Sequence, residues 1–269
     1  MQYDILRQSI VAKTFLILLL AIAASLFVSD QTMARQWPWP DSAEVTVMTP
    51  DSLELVGNLY RPKSAKLTKL PLVVLLHQTA ETHGAWKNLV DDLCASDFAV
   101  FAMDLRGCGY SIYDFRTGQN RPPNTFYIGE QALYPADIRL LVKKLFTEHG
   151  KMLDSARIAV VGAELGGSIG LLYAVDEPGV RFTALISPGL EYSGLQIGKA
   201  IKDYGERPLF MATAKQDIYS MESLNLLSDV ISRVLDVKVF DTFRYGNALV
   251  NTEPQLVRML IDRLRQYLK

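Results

Sequence analysis

Residues 42–269 predict an α/β protein with a doubly wound, mainly parallel sheet. One observation is the alternation of short β-forming segments with stretches that carry apolar residues at helical spacing. Another is that segments such as 72–76 are uninterrupted apolar runs, which are typical of strands covered by helices on both faces. We therefore expect a sheet whose interior strands are parallel and buried.

The expected elements follow in a regular order, opening with a hairpin. Residues 44–48 and 53–60 carry β-forming residues around Thr49-Pro50-Asp51, a tripeptide that favours a turn. Apolar runs then predict parallel strands at residues 72–76, 99–103, 157–161, 182–187, 209–214 and 237–243. Apolar residues three and four positions apart predict helices at residues 85–95, 135–149, 164–175, 221–234 and 253–268.

Composition limits the function classes. The 269 residues include 28 basic and 29 acidic side chains that are well mixed, for a net charge of −1, so the chain has no basic patch for nucleic acid. With 49% hydrophobic residues and no flexible linker tract, we expect one folded domain over residues 42–269.

The N-terminal 35 residues differ from the rest. Arg7 and Lys13 precede an apolar run at residues 14–28, and small residues follow at Thr32 and Ala34. This layout is typical of an export signal. Three alternatives stay open, namely cleavage after Ala34, an uncleaved N-terminal membrane anchor, and a helix buried in the core.

Residues 36–41, rich in tryptophan and proline, are expected to be a linker. The protein is therefore expected to be exported, either periplasmic, secreted or anchored by its N-terminus, with possible membrane contact through residues 14–28. The two cysteines, Cys94 and Cys108, are expected at opposite ends of the sheet and hence as free thiols.

Loops that follow strand ends hold the candidate chemistry, because ligands of open parallel sheets bind beyond the carboxyl ends of the strands. Residues 104–111 (Asp-Leu-Arg-Gly-Cys-Gly-Tyr-Ser) resemble the D-x-R-G-x-G-x-S loop of the α/β-hydrolase superfamily. Residues 186–192 resemble its S-P-G-x-x-Y segment. The chain thus resembles the dienelactone-hydrolase and serine-peptidase-like branch, which implies an α/β-hydrolase fold with little or no cap and no cofactor.

The resemblance places the catalytic positions, and two of them hold unexpected residues. The nucleophile elbow of this superfamily reads G-x-S-x-G, whereas residues 162–166 read Gly-Ala-Glu-Leu-Gly, so Glu164 takes the place of serine. Asp217 matches the acid. Tyr245 aligns with the histidine, and Asn247 does so under a looser alignment. The expected triad Glu164, Asp217 and Tyr245 is therefore degenerate.

Neighbouring positions are interpreted through the same resemblance. The amides of Gln78 and Leu165 correspond to the former oxyanion hole, and His77 is expected to brace the loop that carries Gln78. Asp104 and Arg106 are interpreted as residues that hold their own loop by hydrogen bonds.

Two motifs are interpreted as structural rather than functional. Ser168 lies in a second G-x-S-x-G match that begins inside a helix, so it is expected to face helix packing rather than act as a nucleophile. His77, Glu81 and His83 lie on one loop without a fourth ligand, so no metal site is expected.

These assignments give two functional hypotheses. The first is an inactive descendant of a hydrolase in the cell envelope that binds a small molecule or a protein. The alternative is an active hydrolase of ester, lactone or alkyl substrates that uses Glu164 as a non-serine nucleophile. Tyr245 is expected to donate its hydroxyl to Glu164 or Asp217. Serine at position 164 should then restore no turnover unless histidine also replaces Tyr245.

Overall fold

The computed structural model describes residues 42–63, 69–231 and 235–269. Within these ranges the chain forms an eight-stranded sheet covered by helices. The predicted export segment and linker lie outside the described residues. Of the helices in the described ranges, none is both long and apolar enough to cross a membrane.

The strands of the sheet confirm the expected fold class. Their bounds are β1 Ser42–Met48, β2 Glu54–Tyr60, β3 Leu70–Leu76, β4 Ala99–Met103, β5 Leu153–Ala163, β6 Val180–Ile186, β7 Leu209–Ala214 and β8 Leu235–Phe240. Their order in the sheet is β1-β2-β4-β3-β5-β6-β7-β8. The opening hairpin pairs antiparallel, β2 pairs antiparallel with β4, and the strands from β4 to β8 are parallel.

Helices cover both faces of this sheet. Their bounds are α1 Lys87–Ala95, α2 Tyr134–His149, α3 Leu165–Val175, α4 Gly198–Tyr204, α5 Ile218–Ile231, α6 Gly246–Thr252 and α7 Pro254–Leu268. Shorter elements are the 3₁₀ helices His83–Trp86 and Pro123–Thr125, the one-turn helix Ile128–Gln131, and two small ribbons, Tyr113–Asp114 with Gln119–Asn120 and Glu191–Tyr192 with Leu195–Gln196.

Burial explains why the strong apolar runs form the interior strands. Every residue of β3, β4 and β7 is buried. The closing helix α7 buries Leu256, Leu260, Leu264 and Leu268, which recur every four residues and form one stripe against the sheet. Cys94 and Cys108 are free thiols.

The loop after β4 is held by buried charges, as expected for Asp104 and Arg106. Arg106 is 1% exposed and donates to both carboxylate oxygens of Asp137 at 2.7 Å, and it also donates to Asp51. Asp104 accepts hydrogen bonds from the amides of His83 and Tyr110. Burial alone would raise the pKa of Asp104, but its bonds to His83 and Tyr110 lower it overall.

Candidate active site

Glu164 occupies a sharp turn between β5 and α3, as the elbow motif predicts. Its backbone has φ 48° and ψ −116°, a left-handed conformation that non-glycine residues rarely adopt. The Glu164 amide donates to the Ile186 carbonyl oxygen at 2.9 Å, which ties the turn to β6. The strained turn therefore presents Glu164 at the carboxyl edge of the sheet, directly before the N-terminus of α3.

Two glycines allow this turn to pack against its neighbours. A methyl group on Gly162 would lie 2.4 Å from the Gly166 carbonyl oxygen. A methyl group on Gly166 would lie 2.3 Å from the Leu76 carbonyl oxygen. These contacts are with backbone atoms, which cannot move without shifting β3 or α3. The glycines of the motif are thus required by close packing, whatever residue stands between them.

The Glu164 carboxyl group lies in a negatively charged environment. Burial and the charges of Asp217 and Glu81 raise its pKa to about 7. Among the described residues, no side chain forms an ion pair or hydrogen bond with this carboxyl group. Glu164 is consequently a mixture of acid and carboxylate near neutral pH.

The raised pKa predicts how Glu164 affects stability with pH. The unfolded chain releases this proton near the ordinary value of 4.5 and the folded chain near 7, so the folded state binds more protons between these values. The free energy of unfolding should therefore fall as pH rises from 4.5 to 7, by up to roughly 3 kcal/mol. We expect Glu164→Gln to remove this decline and to be more stable than the native chain at pH 8.

Urea unfolding of the full-length chain and of Glu164→Gln at several pH values measures this difference. The exposed Glu206 provides a matched control, since Glu206→Gln should change stability little at any of them. A difference between the native chain and Glu164→Gln that does not vary from pH 5 to pH 8 would contradict the assignment.

Asp217 lies where the acid of the motif was expected, directly before α5. Its carboxylate accepts hydrogen bonds from the Ser220 amide at 3.2 Å and from the Thr213 hydroxyl at 3.3 Å. An aspartate that accepts from the third amide of a helix is an N-cap. Asp217 is therefore bound to its own helix and strand, while its charge still acts on Glu164.

The structure contradicts the hydrogen-bond network expected from Tyr245. Half of the Tyr245 side chain is exposed, and in the described part of the chain its hydroxyl bonds to neither Glu164 nor Asp217. Gly246 is the residue of this loop that faces the elbow, because a methyl group on it would lie 3.0 Å from Glu164 Oε1. The gap-free alignment missed this because Gly246, at φ 54°, turns the chain into α6.

Asn247 and Gln78 form a reciprocal pair of hydrogen bonds that sequence reasoning did not predict. The Gln78 amide donates to Asn247 Oδ1 at 3.1 Å, and the Asn247 amide donates to Gln78 Oε1 at 2.7 Å. The backbone amide of Gln78 was expected to be available as half of a former oxyanion hole. Here it is already hydrogen-bonded to the side chain of Asn247. Leu165, the other expected contributor, is the buried first residue of α3.

His77 braces the loop that carries Gln78, as predicted. The Leu105 amide donates to His77 Nε2 at 2.9 Å, so the ring proton is on Nδ1, which donates to the Gln78 carbonyl oxygen at 2.7 Å. Burial lowers the pKa of His77 to about 4, despite the opposing bond to Gln78. His77 is hence neutral and structural.

In the described part of the chain, the other two histidines form no hydrogen bond or ion pair with Glu164. His83 Nδ1 lies 2.7 Å from Asp104 Oδ1, and His149 lies in the last turn of α2. Since the chain contains three histidines, none stands free beside Glu164. Ser168 is buried within α3, as its position after the helix start indicates.

Ser187, Tyr192 and Tyr219 complete one side of the site. The Ser187 hydroxyl accepts from the Gly246 amide at 2.8 Å, and the Ser187 carbonyl oxygen accepts from the Tyr192 hydroxyl at 3.1 Å. The Tyr192 and Tyr219 rings meet edge to face at 5.4 Å. The S-P-G-x-x-Y match pointed to Ser187 and Tyr192, but Tyr219, which lies on α5, carried no sequence signal.

The strand order and the strand–turn–helix elbow define an α/β hydrolase. The chain belongs to the serine aminopeptidase S33 family, whose model matches residues 69–233. No curated protein matches the chain.

Solved structures with this fold include esterases. An esterase of Pyrococcus furiosus has a TM-score of 0.66 at 16% identity, over 85% of this chain and 91% of its own. A carboxyl esterase of Bacillus coagulans in complex with glycerol has a TM-score of 0.66 at 11% identity, over 86% and 100%. An α/β hydrolase of Penicillium sp. sh18 has a TM-score of 0.64 at 14% identity, over 84% and 99%. Such identities support the fold alone.

Proposed function

We propose that this chain is a catalytically inactive α/β hydrolase that binds a small molecule or a protein partner at the carboxyl edge of its sheet. The observation that carries the proposal is Glu164 at the elbow, while His77 and His83 are hydrogen-bonded elsewhere and His149 lies in the last turn of α2. A serine nucleophile needs an adjacent base to accept its proton, and a carboxylate nucleophile needs one to activate the water that releases the covalent intermediate. The site has the shape of a hydrolase elbow without that base.

The bonds between Gln78 and Asn247 also support an inactive site. An oxyanion hole stabilises the negative oxygen of a tetrahedral intermediate through free backbone amides. Because the Gln78 amide already donates to Asn247 Oδ1, it cannot donate to a substrate oxygen unless that bond opens. Loss of one such donor lowers turnover by roughly 10²–10³-fold in other hydrolases.

The charge of the site indicates the kind of ligand it accepts. The charges of Asp217 and Glu81 both act on Glu164, so the site repels anions. The Tyr192 and Tyr219 rings add an aromatic wall on the α5 side. A neutral or cationic ligand with an apolar part therefore suits this edge of the sheet better than an anionic one.

Replacement of Glu164 by serine tests whether the missing base is what prevents turnover at the site. We expect Glu164→Ser to hydrolyse activated esters no faster than buffer, because a lone serine hydroxyl is a weak nucleophile. The double variant Glu164→Ser with Tyr245→His should be equally inactive, because the side chain at position 245 is half exposed and Gly246 is the residue that faces the elbow. Tyr245→His alone is its matched control. Initial rates with p-nitrophenyl butyrate measure the effect, and turnover by Glu164→Ser alone would contradict the proposal.

The second candidate is an active hydrolase in which Glu164 itself reacts. The raised pKa of Glu164 favours it, since a carboxyl group that is half ionised near neutral pH suits proton transfer. In that case Glu164→Gln would abolish the turnover of the native chain. The two candidates thus differ in whether the native chain has any turnover to lose.

We also propose that the chain is exported to the cell envelope or beyond, on the evidence of the basic residues, apolar run and small residues within residues 7–34. Cell fractionation should find the protein outside the cytosol. N-terminal sequencing of that fraction would separate cleavage after Ala34 from anchoring, and recovery of the full-length chain only in the cytosol would contradict export.

A further inference from the structure

A cleft of about 370 Å³ lies between the β1–β2 turn and the N-terminal half of α2. We call it the hairpin cleft, and define it by Pro50 and Asp51 on the turn, Arg106 at its base, and residues 133–143 beside it. None of its lining residues belongs to the candidate active site. Its volume falls in the range of roughly 300–1,000 Å³ that small-molecule sites occupy.

The walls of the hairpin cleft are aliphatic. Leu133, Ala136 and Leu140 recur at three- and four-residue intervals, so they form one stripe along α2, and Pro50 faces this stripe from the turn. Leu133 is 37% exposed and Ala136 is exposed, although both border a concave surface. An apolar chain in the cleft would remove this surface from water.

The base of the cleft offers an incoming ligand no free positive charge. Arg106 donates to both Asp137 oxygens and to both Asp51 oxygens, so its charge is already matched within the protein. A ligand anion placed at the base would meet the two carboxylates as well as the guanidinium. The charged end of a ligand is therefore excluded from the base and belongs at the mouth.

Within the described part of the chain, the mouth of the cleft has one cation without an ion-pair partner. Lys143 is exposed, and among the described residues it forms no ion pair. Arg139, also at the mouth, is bound to Glu177 at 2.7 Å and to Asp176 at 3.4 Å. The Lys143 ammonium group is thus the available partner for a ligand anion.

We propose that the hairpin cleft binds a medium-chain monocarboxylate, with the aliphatic chain between Pro50 and the α2 stripe and the carboxylate on Lys143 Nζ. The aliphatic walls favour an apolar chain. The charges at the base, which are already paired with one another, exclude a second polar end of the ligand. Lys143 favours an anion over a cation. This site is separate from the carboxylate-rich edge that holds Glu164.

Displacement of a dansyl-labelled undecanoic acid from the full-length chain by decanoate tests the proposal. We expect decanoate to displace the label and decyltrimethylammonium to do so much more weakly. Lys143→Glu should weaken decanoate binding at least roughly tenfold, since it replaces a charge-assisted contact with repulsion. Lys144→Glu is the matched control, because Lys144 pairs with Glu148 and does not line the cleft.

A second pair of variants tests the apolar part of the site. Ala136→Trp fills the cleft from an exposed helix position and should abolish decanoate binding, whereas Ala132→Trp, which precedes α2 and lies outside the lining, should not. Decanoate binding by the Ala136→Trp variant would overturn the proposal. Equal weakening of decanoate binding by Lys143→Glu and Lys144→Glu would overturn it as well. Glu164→Gln should leave decanoate binding unchanged, and loss of binding in that variant would place the ligand at the other site and overturn it too.

Discussion

Replacement of Arg106 by methionine is expected to lower the free energy of unfolding by about 3–5 kcal/mol, because it leaves the buried carboxylate of Asp137 without its partner. Arg106 and Asp137 are 1% and 2% exposed, and they share two hydrogen bonds of 2.7 Å. Methionine matches the length of the side chain but donates nothing. Urea unfolding of the full-length chain and of Arg106→Met measures the loss.

Arg139→Met is the matched control for that loss. Arg139 also pairs with two carboxylates, but it lies on the surface, so its removal should change stability by about 0–1 kcal/mol. Arg106→Lys should remain well below the native chain, since an ammonium group cannot reproduce the paired bonds of a guanidinium. Equal effects of Arg106→Met and Arg139→Met would contradict the structural role of the buried network.

Gly166→Ala is expected to lower the free energy of unfolding by about 3 kcal/mol, the upper end of the range for overpacking a tight site. The added methyl group would lie 2.3 Å from the Leu76 carbonyl oxygen and 2.4 Å from the His77 carbonyl oxygen. Relief of these contacts requires α3 to move away from the end of β3. That movement would also displace Glu164 and the loop that carries Gln78.

Gly198→Ala controls for the general effect of replacing a helical glycine. Gly198 is the first residue of α4, and a methyl group there meets no atom within 4 Å. This variant should be neutral or more stable by up to about 1 kcal/mol, because alanine favours helix. Thermal unfolding of both variants measures the contrast, and a Gly166→Ala chain as stable as Gly198→Ala would contradict the close packing at the elbow.

Much of the fold could be predicted from the sequence, because the strongest signals came from buried strands. The run at residues 72–76 and the strand at residues 99–103 were placed almost to the residue. The strand β5 was predicted to begin at Arg157, whereas it begins at Leu153, because Asp154 and Ser155 are polar and residues 154–156 lie outside the core. The helices α4 and α6 were missed, since both are short and α6 carries no clear apolar periodicity.

The candidate site was predictable where a local motif determines position, and not where distant loops meet. Glu164, Asp217 and His77 lie where the strand-end motifs put them. The pairing of Gln78 with Asn247 joins residues 169 positions apart, so no local pattern could reveal it. The direction of Tyr245 depended on the left-handed backbone of Gly246, which an alignment does not show.

Turnover of an activated ester by the native chain tests the central claim most directly. The full-length chain and Glu164→Gln should both hydrolyse p-nitrophenyl butyrate at the rate of buffer alone, from pH 6 to pH 8. The reason is that Glu164 has no base beside it and the Gln78 amide is occupied by Asn247. Hydrolysis by the native chain that disappears in Glu164→Gln, with the fold intact, would contradict the account and assign Glu164 as a catalytic carboxylate.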